Sequence, residues 1–196
     1  MFKALAVGAT ITVLPGSMVA ETAFAQQKSE TQVVVSANQK KMIAAFNKHV
    51  KDYVKQRNRL EEKLPKLSKD ATPDQIQTYQ KAFVDALRAA RASAKPGYIF
   101  GPDVAEYMRK TIKTEFKGSD RAELRETVLE AETKGVPIKV NYPYPESKEI
   151  TQMPPTLLLK LPQLPKEIKY RFVRRHLLLV DTDNDLIVDY MLNALP

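Results

Sequence analysis

Apolar residues recur at helical spacing through the first two thirds of the chain and run together in its last thirty residues. Ile43, Phe46, Val50, Tyr53, Leu60 and Leu64 fall three and four apart, with Arg57 filling the one gap in the series. That stripe predicts an amphipathic helix over 38–64, stopped by Pro65. Thr72-Pro73-Asp74-Gln75 then has the chemistry of a helix start: a hydroxyl cap, proline at the first helical position, and a glutamine that closes a capping box. Ile76, Tyr79, Phe83, Leu87 and Ala90 form the buried face of this second helix, and Pro96-Gly97 ends it. Gly101-Pro102-Asp103 opens a third, with Val104, Met108, Ile112 and Phe116 repeating every four residues. Gly118 suits a left-handed stop, and Ser119 caps a fourth helix lined by Leu124, Val128 and Ala131 and ended by Gly135 and Pro137.

The pattern changes at residue 138. IKVNYPYPESKEI is broken by prolines, which push the residues before them out of helical geometry. Met153-Pro154-Pro155 precede TLLLKL, a short helix or apolar plug. Three strands follow: Tyr170 to Val173, His176 to Val180 and Leu186 to Tyr190, with turns at Arg174-Arg175 and Asp181 to Asp185. The last two strands are apolar on both faces, so each face needs cover. Helices supply one side; the TLLLKL segment or a second copy of the chain is expected on the other, and a homodimer is one arrangement that meets the need. The fold class is therefore α+β: about four helices, a proline-rich crossover and a small three-stranded antiparallel meander, forming one compact domain.

The first 25 residues stand apart. Lys3 gives a positive start, Ala4 to Leu14 form an apolar run, Pro15-Gly16 break it, and Ala23-Phe24-Ala25 presents the small-x-small pattern of a signal peptidase site. The run is shorter than the roughly 18 to 20 residues a bilayer requires, so cleavage rather than anchoring is expected, with Gln26 as the mature N-terminus. The organisation reads as a cleaved signal peptide at 1–25, a flexible lead-in at 26–37, a helical region at 38–135, a crossover at 136–168 and the meander at 169–196. The expected location is periplasmic or secreted, with no transmembrane anchor after cleavage.

Composition narrows the chemistry. The chain has no cysteine and no tryptophan, and its six glycines are scattered. Thiol catalysis, thiolate metal sites and glycine-rich phosphate loops are thereby excluded. The charge is +8, from 31 Lys and Arg against 23 Asp and Glu. Eight of the cations lie on the first helix: Lys40, Lys41, Lys48, Lys51, Lys55, Arg57, Arg59 and Lys63, against Asp52, Glu61 and Glu62. A second basic group, Lys166, Lys169, Arg171, Arg174 and Arg175, surrounds the first hairpin. The candidate anion-binding residues are Lys48, Lys51, Lys55, Arg59, Arg171, Arg174 and Arg175, acting as point charges in a salt-dependent contact.

Other motifs are weaker. Asp181-x-Asp183-x-Asp185 matches the opening of a calcium loop, but Leu186 and Leu192 occupy the positions that need glycine and glutamate, so a turn is the expected use. His49 and His176 lack a second histidine at metal spacing. No nucleophile elbow occurs, and no residue set points to catalysis, a metal or a cofactor. Tyr142-Pro143-Tyr144-Pro145 is either an exposed recognition segment or a crossover whose rings pack down on the helices.

The ending from Leu161 to Pro196, with YRFV, LLLVD and LIVDYM, resembles that of a group of exported bacterial proteins of unknown function. Phe100-Gly101-Pro102-Asp103-Val104 and Met153-Pro154-Pro155 extend the likeness. The meander is also similar, more loosely, to periplasmic RcnB-type modules implicated in metal homeostasis, whose hairpin turn usually contains glycine where Arg174-Arg175 stands here. The resemblance implies an exported protein and assigns no functional residue. The expectation is a non-enzymatic protein that binds an envelope polymer, an anionic surface or a protein partner, without sequence-specific nucleic-acid recognition. The alternatives are a small envelope hydrolase using carboxylates and a metal-homeostasis module.

Overall fold

The structure, a computed structural model, describes residues 36–117, 122, 125, 126, 129, 137–144 and 153–195. The leader at 1–25 and the lead-in up to residue 35 lie outside these residues. Three long helices come first: α1 (Ala37–Glu61), α2 (Pro73–Ala90) and α3 (Gly101–Glu115). Ala122, Arg125, Glu126 and Leu129 are also helical, where a fourth helix is expected; Gly118, Ser119, Leu124, Val128, Ala131 and Gly135 lie outside the described residues. A single turn, α4 (Pro155–Leu158), follows the crossover. Strands β1 (Ile168–Val173), β2 (His176–Asp181) and β3 (Leu186–Met191) complete an α+β fold with a C-terminal meander.

Local chemistry accounts for the helix starts. Ser36 Oγ accepts the Gln39 N–H at the head of α1. At α2 the capping box forms in both directions: Gln75 N–H donates to Thr72 Oγ1, and Thr72 N–H to Gln75 Oε1. α1 ends at Glu61, four residues before Pro65, and α2 ends at Ala90, well short of Pro96-Gly97. The buried face of α2 is narrower than its spacing suggests. Phe83 and Leu87 are buried, whereas Ile76 is 40% exposed and Ala90 lies at the surface.

The strands pair in the order β1-β2-β3, all antiparallel. Val173 opposes His176 across the first hairpin, and Arg174 takes a left-handed φ of 52° in its turn. A bulge falls between Leu179 and Val180 in the β2–β3 pairing. The outer edge of β3 is covered by the crossover. Asn141 N–H donates to Ile187 O, and Ile187 N–H to Tyr142 O.

One sheet face carries Tyr170, Phe172, Leu177, Leu179 and Val188 into a core shared with Phe46, Val50, Phe83, Leu87, Met108 and Ile112. Leu157 and Leu161 belong to this same core. The TLLLKL segment therefore sits on the helix side, not over the second face as expected. That second face, Val173, Leu178, Val180 and Ile187, packs with Tyr144 and Ile138 of the crossover. Leu178 and Ile187 are fully buried within the chain itself. The reason is reach: Asn141 and Tyr142 hydrogen-bond to Ile187 of β3 and Tyr144 N–H to Asp185 O just before it, which brings Tyr144 over the adjoining face. Tyr144 thus packs on the sheet rather than on the helices as expected, while Tyr142 stays at the surface with the Arg88 guanidinium 5.4 Å from its ring centre.

Candidate functional site

The basic helix divides into two faces. Lys51, Lys55 and Arg59 lie one turn apart and line a groove of about 480 Å³ together with Glu62 and Pro165. All three are exposed, and among the described residues none of them forms an ion pair. A helical rise of about 1.5 Å per residue puts successive members of the row roughly 6 Å apart along the axis. Lys166, also exposed, follows Pro165 directly, so the second basic group begins where the groove ends.

The other candidate residues are not gathered there. Lys48, seven residues before Lys55 and so on the same exposed side of α1, is paired with Asp52 at 2.7 Å and does not line the groove. Arg171 lines a separate cleft with Lys169 and donates to its neighbour's carbonyl, Tyr170 O. Arg174 is exposed at the hairpin turn. Arg175 has a structural job: its Nε donates to Leu195 O, and its carbonyl accepts the N–H groups of Ala194 and Leu195, pinning the last residues to the hairpin.

Arg57 differs most from its neighbours in the sequence. It is buried, and its guanidinium Nε donates to Asp181 Oδ2 at 3.0 Å and Nη2 to Asp183 Oδ2 at 2.6 Å. Nη1 reaches Asn58 and Glu61. Tyr53 donates its hydroxyl to the same Asp181 Oδ2 at 2.7 Å. The turn with the calcium-like spacing therefore holds a guanidinium. Asp181 Oδ1 is taken by Asp183 N–H and Asn184 Nδ2, so every face of this fully buried carboxylate is occupied. Burial, then the Asp181 charge, pushes the Tyr53 phenol well above its usual range.

Asp189 is the second buried carboxylate. Its Oδ1 accepts from Gly97 and Tyr190 N–H, and its Oδ2 from Ile99 and Phe100 N–H. It thereby caps the entry to α3, for which no side chain of the helix's own does so. Burial raises its pKa while the four N–H donors pull the other way, and burial is the larger effect. Both aspartates are fully engaged by donors, which gives each a structural use. Sequence patterning missed Arg57, Asp181 and Asp189 as a set. An arginine within an apolar stripe and an aspartate within an apolar strand were the available signals.

Among the described residues no three His, Asp or Glu side chains are placed to hold a metal ion, and no helix is long and apolar enough to cross a membrane. His49 lies on α1 with its Nδ1 3.4 Å from Ile99 O, and His176 Nδ1 accepts the Asn193 N–H at 3.0 Å. The chain matches no family model, no curated protein and no solved structure.

Proposed function

We propose that the protein is exported and acts without catalysis, binding an anionic polymer of the cell envelope along α1. The observation that carries this reading is the groove of Lys51, Lys55 and Arg59, three exposed cations in register that form no ion pair among the described residues and outnumber the one carboxylate of the groove wall, Glu62. Cations left unpaired on a rigid helix attract a linear anion without first breaking an internal ion pair, and their contribution is screened by salt. The amino-terminal pattern of Lys3, the apolar run and Ala23-Phe24-Ala25 supports delivery to the envelope, where such polymers are found.

The test uses fluorescein-labelled dextran sulfate and the full-length gene expressed in a bacterial host. Material recovered from the envelope fraction should begin at Gln26 by mass spectrometry. Its affinity should fall steeply between 50 and 300 mM salt, as expected when several ions are displaced together. Reversing Lys51, Lys55 and Arg59 to Glu should weaken binding more than tenfold, while reversing Arg171 and Arg174 should change it little. Unchanged affinity in the triple variant would show the groove to be ordinary surface.

A further inference from the structure

A second cleft lies on the opposite flank of α1 and has a different character. It is about 540 Å³, within the range of small-molecule sites, and is framed by α1, the end of α2 and the loop that leads to α3. Its walls include His49, Asp52, Arg91, Lys95 and Tyr98.

Three features distinguish it from an accidental hollow. The first is a rigid frame. Asp189 grips the Gly97, Ile99 and Phe100 N–H groups, fixing the loop that carries Tyr98, and Gly97 adopts the φ of 76° that this turn requires. The second is an aromatic plate. Tyr98 is 64% exposed, yet its ring is stacked on His49 with centres 4.8 Å apart. Core packing does not explain a large ring held flat at the surface. The third is a cation with no counter-charge in contact. The Arg91 guanidinium lies 4.7 Å from the Tyr53 ring centre, and it donates to Asn141 Oδ1 and Val188 O, both neutral. Among the described residues no carboxylate is within ion-pair distance of it. Burial lowers its pKa and outweighs the opposing pull of Tyr53 and of the more distant Asp189 and Asp181.

The electrostatic balance favours an anion. Asp52 is neutralised by Lys48, which leaves Arg91 and Lys95. The carbonyl of Ala90, at the negative end of α2, is covered by Gln56 Nε2. We propose that this cleft is a binding site for a small planar ring bearing a carboxylate. The ring lies on the Tyr98 face, and the carboxylate is directed to Arg91 and Lys95. Stacking supplies the shape preference and the two cations the sign of charge.

The test is a nuclear magnetic resonance titration of the full chain with benzoate, using benzyl alcohol as its neutral counterpart. Benzoate should shift the His49 and Tyr98 ring signals saturably, and benzyl alcohol should bind at least tenfold more weakly. Tyr98→Ala should raise the dissociation constant at least tenfold, Tyr98→Phe should retain binding, and Lys95→Gln should weaken it severalfold. Lys55→Glu, in the other groove, should have no effect. Equal binding of the two probes, wild-type affinity in Tyr98→Ala, or shifts confined to Lys51 and Lys55 would each overturn the assignment.

Discussion

Arg57 and Asp181 show how much one pair of charges can decide. Each is nearly inaccessible to solvent, so truncating one leaves the other charged and desolvated. Arg57→Ala should destabilise the protein by about 3–5 kcal/mol in urea unfolding. Arg57→Met combined with Asp181→Leu should recover much of that loss, because the penalty comes from the orphaned charge more than from the lost attraction. Additive losses in the double variant would contradict this account. His176 makes a prediction about pH. Burial, with Arg174 and Arg175 nearby, holds its pKa below the usual 6.5. The folded state therefore binds its proton less readily than the unfolded chain does. His176 accordingly favours folding above about pH 6.5, and that contribution is lost as pH falls through the lowered value. His176→Gln should flatten the decline in stability over that range. Replacing Arg174 and Arg175 by Gln should move the His176 titration, followed by its ring protons, upward.

At the scale of elements, the chain follows its local signals closely. The Thr72–Gln75 box satisfies two N–H groups that would otherwise lack partners, so Thr72→Ala should cost about 1 kcal/mol. A thermal melt unchanged by that substitution would mean that α2 is held by Phe83 and Leu87 alone. The first hairpin runs against its local preference. Arg174 adopts a left-handed φ of 52° at a position suited to glycine. Arg174→Gly should therefore leave the fold intact and stabilise it by up to about 1 kcal/mol, the relief of strain exceeding the extra chain entropy. α3 depends on a distant residue, because the N–H groups at its entry are held by Asp189 of β3. Spacing within residues 95–105 could not have revealed that partner.

At the scale of the whole molecule, the first described helix is tied to the last strands. Tyr53 and Arg57 of α1 bond to Asp181 of β2, and the apolar stripes of α1, α2 and α3 share one core with the sheet. Residues 36–144 expressed alone should be partly helical by circular dichroism but lack a cooperative unfolding transition, since their buried face would have no sheet to pack against. A sharp two-state melt of that fragment would show that the helices form an independent core.

The periodicities in the sequence were sufficient to place the starts of α1, α2 and α3, the three strands and the two hairpin turns, because capping and apolar runs act over a few residues. The stripe that includes Phe46, Val50 and Tyr53 likewise identified the inner face of α1. What only the tertiary structure decided was the use of each charged or amphipathic side chain. The basic row on α1 looked uniform, yet Lys51, Lys55 and Arg59 line one groove, Lys48 is taken up by Asp52 and Arg57 turns inward. Likewise Leu157 and Tyr144 exchanged the roles expected of them in covering the sheet. A charge is defined by what surrounds it, and those surroundings are brought together by residues more than a hundred positions apart, as with Arg57 and Asp181.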